Sequence, residues 1–341
     1  MRHEDPAREC VIALDVGGTS MKGALLSDAL RPLGVIRRST PGGSRPTQAL
    51  DAITATLREL DAQAAERRMT VRHIGTVVPG IVDEESGRAI RSVNLGWADL
   101  PLARLLTRAT GRPVVVGHDV RAGGLAEFRA GAARGARDAL FVPVGTGISA
   151  AVLSGGRPLV SGGYAGELGH VVTDPGGATC RCGGRGCLET VASAAAIAAT
   201  YTARSGTRVD GAADVAARVA AGDPIAVAVW HGAVGALASA LADVSTLLAP
   251  ERIVLGGGLA QAGKLLLDPL RVRLGDRLTF QRRPELVRAA FGDEAGCLGA
   301  GILAWEAAGV RPRLGPETGG SGGNTRRTRR SQLPRPGAAG P

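Results

Sequence analysis

The chain has 341 residues, 44% hydrophobic and 21% charged, with a formal net charge of +10. That is long enough for two domains with sizeable cores, and the balance is that of a folded protein, not a disordered or fibrous one. Seven arginines (311, 313, 326, 327, 329, 330 and 335) against the single acid Glu317 place +6 of that charge beyond residue 310, which excludes a basic nucleic-acid-binding face spread over the fold.

Residues 1–10 mix both charge signs and lead into an apolar run, the pattern of neither a signal peptide nor a membrane anchor. No stretch approaches the roughly 20 apolar residues of a bilayer span, so a cytoplasmic location is expected. Residues 11–16 form a β-branched apolar run that ends in Asp15, Gly17, Gly18 and Thr19, and 22–27 reads as the returning strand of a hairpin. Leucines and alanines at helical spacing mark 47–68, and 74–78 is a strand stopped by Pro79 and Gly80. A helix at 100–110 leads to a strand at 114–116 and then to His118 and Asp119. The theme then repeats: 139–144 is a buried strand ending in Gly145, Thr146 and Gly147, with 148–153 as its return strand. Two such units about 130 residues apart predict two copies of one α/β plan, with mixed sheets covered by helices. Long helices follow, notably 224–248, then a strand at 252–255 running into Gly256, Gly257 and Gly258 at the start of a helix. A small-residue helix at 295–308 closes the fold, and the Gly-, Pro-, Ser- and Arg-rich tail at 311–341 is expected to be disordered. The tail is read as a solvated extension, with weak polyanion binding as the alternative.

The three glycine turns suit phosphate. Backbone N–H groups without a Cβ in the way approach phosphate oxygens closely, and a threonine hydroxyl adds a donor. Asp15, before the first turn, is placed to hold a magnesium ion, and bare backbone at 256–258 to receive an adenosine. One glycine turn alone is usually only a turn; three in this order describe an actin-like ATP clamp.

Between 166 and 189 the segment GELGHVVTDPGGATCRCGGRGCLE holds three of the five cysteines. Cys180, Cys182 and Cys187 with His170 form a Cys3His set suited to a closed tetrahedral zinc. The alternative is a disulfide or free thiols. Cys180 and Cys182 are too close for an easy mutual bridge, and three cysteines leave one unpaired.

DVGGTSMKGALL at 15–26, GHDVRAGGLAE at 117–127, VGTG at 144–147, GELGH, CRCGGRGCLE and VLGGG at 254–258 resemble the ROK family, the repressors, open reading frames and sugar kinases related to bacterial glucokinase. The likeness spans about 10–310, the whole globular part. It implies two actin-like (ribonuclease H-like) domains, at 10–118 and 119–294, with the helix at 295–310 able to pack back on the first. Sugar and ATP would occupy the cleft between them, and a homodimer or tetramer is common. Asp119 would be the general base. Gly80, Asn94, His118, Glu167, His170 and Glu189 would bind sugar with it. Gly17, Gly18, Thr19, Lys22, Gly145, Thr146, Gly147 and Gly256 to Gly258 would bind the nucleotide, with Asp15 on magnesium. The zinc would be structural, fixing His170 and Glu189.

The chain departs from that pattern at two positions. His118 and Arg121 stand where asparagines are common; Arg121 is equally readable as a surface salt-bridge partner. Asp83, Glu84, Glu85 and Arg88 read as a solvated polar turn. A repressor of this family needs a DNA-binding module ahead of the first phosphate turn, and about 15 residues leave no room for one. A non-catalytic sugar sensor would be expected to lose Asp119 or a turn, and both are retained. Glucose is the leading substrate, since Glu167, His170 and Glu189 form the glucokinase set. N-acetylmannosamine, N-acetylglucosamine, fructose and allose kinases use nearly the same residues.

Overall fold

The structure, a computed structural model, describes residues 8–41 and 46–313; the tail from 314 onward, expected to be disordered, lies outside them. In the first half the strands are β1 (Arg8–Val16), β2 (Ser20–Leu26) and β3 (Pro32–Ser39), followed by helix α1 (Pro46–Glu66). Then come β4 (Met69–Val78), β5 (Ile81–Asp83), β6 (Arg88–Ser92), β7 (Trp97–Leu100), α2 (Leu102–Thr110), β8 (Val114–His118) and α3 (Asp119–Ala130). The second half has β9 (Ala139–Pro143), β10 (Ala151–Ser154) and β11 (Arg157–Pro158), then α4 (Glu189–Ala192), α5 (Ala194–Ser205), α6 (Ala212–Ala220) and α7 (Pro224–Leu248). It ends with β12 (Arg252–Gly256), α8 (Lys264–Arg277), β13 (Glu285–Arg288) and α9 (Ala295–Ala307).

Each half is built on a five-stranded mixed sheet, ordered β3-β2-β1-β4-β8 and β11-β10-β9-β12-β13. In both, an antiparallel meander is extended by parallel strands on the far side of its first strand. β1 is apolar on both faces because both are covered. Ile12 and Leu14 meet Ile53, Leu57 and Leu60 of α1, while Val11 and Ala13 meet Ala300, Ile302 and Ala304 of α9. Full burial of each Val, Leu or Ile among them contributes about 1.5–3 kcal/mol.

The return strand of the second hairpin starts later than its sequence pattern predicts. Beyond a single bridge from Ile148 to Val144, residues 148–150 leave the ladder: Ile148 N–H donates to Glu189 and Ala150 N–H to the Gly166 carbonyl, at 3.0 and 2.7 Å. Those turns belong to the cleft. Gly258 opens a 3-10 turn (Gly258–Ala262) rather than the expected α-helix, and α8 begins at Lys264. Residues 311–313 are not part of a free tail, because Arg313 donates its N–H to the Asp28 carbonyl and pairs with that carboxylate.

The expectation that no stretch could span a membrane fails for α7, 25 residues long and apolar enough by length and composition. Its apolarity goes into the core: Val229, Trp230, Leu237 and Leu241 are buried in one cluster with residues of β12, α5 and α8. The small residues of α9 are explained by α3. A Cβ at Gly299 would lie 2.0 Å from the Ala122 carbonyl oxygen, so these two helices, which cross between the halves, touch through backbone. Gly299→Val should therefore lower the melting temperature by roughly 5–10 °C in a thermal melt; an unchanged value would mean that the helices separate freely.

Candidate active site

A cleft of about 350 Å³ is lined by Gly80, Asn94, His118 and Asp119 from the first half and the α3 junction, and by Gly145, Thr146, Gly147, Glu167, His170, Glu189 and Gly257 from the second. The sugar-side residues read from the sequence therefore share one cavity. Gly18 approaches its rim, a Cβ on it lying 3.4 Å from the Asn94 amide.

Asp119 is placed by an abrupt strand-to-helix junction. β8 ends at His118 and α3 begins at Asp119 with no loop between. One carboxylate oxygen, Oδ1, accepts the Val120 N–H at 2.7 Å, and the side chain is about one-quarter exposed. An anion at a helix N-terminus is favoured by the helix dipole. His118 caps α3: its Nδ1 accepts the Arg121 N–H at 3.3 Å, and its Nε2 lies 3.4 Å from Asp119 Oδ1. Burial pushes the His118 imidazole below its usual pKa despite the opposing pull of Asp119. The ring is thus neutral near pH 7, with its proton on Nε2 toward the carboxylate. Expected to read sugar hydroxyls, His118 edges the cleft but has both nitrogens engaged within the protein.

Two surface assignments are corrected. Arg121 is buried, not a surface partner, and Glu84 is not a freely solvated turn residue, since its Oε1 accepts Arg121 Nε–H at 2.7 Å and His118 N–H at 3.2 Å. The sequence carries no signal for the pair, because the acid that Arg121 binds lies 37 positions away and not beside it in the chain.

The first phosphate turn is closed by Gly17 N–H on the Ser20 carbonyl at 2.8 Å and braced by the Thr40 hydroxyl on the Gly17 carbonyl at 2.7 Å. The second is braced by Glu189, whose Oε2 accepts the Ile148 N–H at 3.0 Å. A Cβ on Gly147 would come within 2.6 Å of that same oxygen, so a larger residue there would displace the Glu189 carboxylate. Lys22, expected at the phosphates, is engaged elsewhere: its ammonium bonds Asp293 Oδ2 at 2.6 Å and lies 3.4 Å from Glu294. Gly256 faces the Phe141 ring, while Gly258 lines a separate cavity of about 380 Å³ with Gly211, Ala212, Ala216 and Leu259. Of that second cavity the sequence signals only Gly258, because the alanines and glycine of the 211–216 wall look like any small-residue helix start.

Asp15 is partly buried at the end of β1, packed against Gly296 in the first turn of α9. Burial, then the charge of Asp119, pushes its carboxyl up to about 7, with Lys22 opposing. A carboxylate sharing a cleft with other acids is a fitting ligand for a divalent cation.

His170 Nδ1 and the sulfurs of Cys180, Cys182 and Cys187 all lie within 4.8 Å of one another. The Cys182–Cys187 and Cys180–His170 separations are both 3.7 Å. That matches the edge of a tetrahedron, about 3.8 Å between sulfurs for Zn–S bonds near 2.3 Å. The four cysteine and histidine groups could hold such an ion, and no disulfide links the cysteines. The other His170 nitrogen, Nε2, faces the Glu167 carboxylate at 3.7 Å on the cleft side.

Two mixed-sheet halves of one plan, facing glycine turns and a carboxylate at the cleft floor define the class: an actin-like, two-domain sugar kinase fold. The chain belongs to the ROK family, whose model matches residues 11–307. It is 34% identical over 323 residues to a glucokinase of Halalkalibacterium halodurans, covering 86% of this chain and 94% of that one. It is 32% identical over 295 residues to an N-acetylmannosamine kinase of Citrobacter koseri, covering 86% and 98%. The crystal structure of a ROK hexokinase from Thermus thermophilus is similar at a TM-score of 0.76 and 33% identity, covering 88% of this chain and 99% of that one.

A carboxyl whose pKa is raised on folding binds more protons folded than unfolded, so its contribution favours the fold at low pH and is lost as pH rises through about 7. Asp15→Asn should therefore raise the melting temperature of ligand-free, chelator-treated protein by a few degrees at about pH 8. The gain should shrink below about pH 6; a gain independent of pH would show that Asp15 is not protonated on folding.

Proposed function

We propose that the protein transfers the γ-phosphoryl group of ATP to a hexose, glucose first among them, with Asp119 as general base. The observation that carries this reading is the single cleft in which Asp119 shares walls with Glu167, His170, Glu189 and the 145–147 turn. Asp119 Oδ1 is committed to backbone, which leaves Oδ2 to take the proton of the attacking hydroxyl. The sugar oxygen then forms its bond to the γ-phosphorus as the bond to the bridging oxygen breaks, and ADP leaves. Glu167, His170 and the free Glu189 oxygen orient the other hydroxyls, and the N–H groups of the two turns stabilise the transferring charge. The adenine occupies the alanine-lined cavity beside Gly258. Asp15 would hold a magnesium ion, which when bound neutralises phosphate charge. The four Cys and His groups would hold zinc, which with four protein ligands has no open position and serves as a scaffold. Held so, the ring of His170 would be fixed and, through Cys187 to Glu189, so would the carboxylate that accepts the N–H of Ile148.

A second substrate reading, N-acetylmannosamine, is favoured by the similarity to the Citrobacter koseri kinase. The sugar discriminator is the wall around Gly80 and Asn94.

A coupled ADP-release assay over hexoses and N-acetylhexosamines should show sugar-dependent turnover, with glucose ahead; none with any sugar overturns the reading. Asp119→Asn should lower kcat by about 10²- to 10⁴-fold while sugar affinity changes only a few-fold. Elemental analysis should find one zinc per chain, and Cys180→Ser should lose it and raise the KM for sugar. Metal-free protein from a chelator-free preparation would eliminate the zinc site.

A further inference from the structure

Beneath the cleft lies a buried charge that the reaction does not use. Arg121 is 4% exposed, and its guanidinium joins three segments of chain. Nε donates to Glu84 at 2.7 Å, Nη2 to the Val82 carbonyl at 3.0 Å and Nη1 to the Gly163 carbonyl at 3.2 Å. Each segment carries a wall of the cleft. Val82 and Glu84 follow Gly80, Gly163 precedes Glu167, and Arg121 itself sits in the first turn of α3 behind Asp119. Glu84 Oε1 does two jobs, since it also accepts the His118 N–H at the last residue of β8. His118 then closes the chain of contacts, taking the Arg121 N–H on Nδ1 and presenting Nε2 to Asp119 Oδ1.

A guanidinium out of water needs a paired carboxylate and hydrogen-bonded donors, and this one has the carboxylate and a bond from each of its three nitrogens. The two residues that replace the asparagines common in the family, His118 and Arg121, are therefore parts of one arrangement, with Glu84 as its counter-charge. We propose that Glu84 and Arg121 are positioning residues for the base and act through His118. They hold the β8–α3 junction and the imidazole so that Oδ1 of Asp119 is fixed from behind and Oδ2 is aimed into the cleft. The proposal rests on the reading of Asp119 as the base of a sugar kinase.

The test is steady-state kinetics of the full chain with ATP and the best hexose of the panel, on Glu84→Gln, His118→Asn and the double variant, each checked by a thermal melt. His118→Asn keeps a side-chain acceptor for the cap of α3 and removes only the group facing Asp119. Each single variant is expected to lower kcat about tenfold with the KM for ATP within twofold, since the phosphate turns touch neither residue. Because both act along one line of contacts, the double variant is expected to lose about tenfold as well, not a hundredfold. A structural staple alone would lower the melting temperature and leave kcat of the folded enzyme intact. Full kcat in both single variants, or losses that multiply in the double, overturns the proposal while leaving an Asp119-dependent kinase in place. If Glu84→Gln yields no folded protein, His118→Asn decides alone, and wild-type kcat in it overturns the proposal. A wild type inactive on every sugar overturns both readings together.

Discussion

Like charge is the constraint that organises this protein. Asp119, Glu167 and Glu189 line one small cleft and the charge of Asp119 reaches Asp15, and carboxylates at such spacing repel unless each is separately stabilised. The fold meets the constraint with backbone. Asp119 rests on the N–H of Val120 at the start of α3 and Glu189 on the N–H of Ile148, while Asp15, against the first turn of α9, is instead pushed up to about 7. For Asp119 and Glu189 the bond takes one oxygen only. The other stays available to a ligand, so the groups that hold the acids apart also leave each of them usable.

This arrangement depends on the two crossing helices. α3 and α9 start at the cleft and run away from it between the two sheets, and backbone contact at Gly299 keeps their N-terminal ends in register. Their N-terminal ends, positive by the helix dipole, lie at Asp119 and beside Asp15. The glycines and alanines that let them approach carry no chemistry of their own. Their effect is to fix the distance between carboxylates that belong to different halves.

Much of this was legible in the sequence where chemistry and local pattern coincide. The hairpin turns, the apolar strands at 74–78 and 252–255, the helix at 224–248 and the Cys3His spacing all announce themselves within a few residues. What escaped was long-range or masked by composition. α3 was not read as a helix because Gly123 and Gly124 lie in its middle, a poor local propensity that tertiary packing overrides. The Glu84–Arg121 pair was missed because an ion pair has no sequence spacing outside a helix or hairpin. The displaced return strand was missed because a side chain 41 residues downstream, Glu189, takes the N–H of Ile148 that a ladder would use.

The same contact decides what the cysteine cluster is for. Cys187 is two residues before Glu189, and Leu188 between them is buried, its N–H bonded to the Val171 carbonyl at 2.8 Å. A displacement of the cysteine loop is therefore carried by a short, packed stretch of backbone to the carboxylate and from it to the second phosphate turn. On its other side, His170 passes orientation to Glu167 across 3.7 Å. A disulfide would fix two of the three sulfurs and leave His170 free to rotate, whereas a four-ligand ion fixes both arms at once. A metal held by these four groups would set Glu167 on one side and the N–H of Ile148 on the other through one centre.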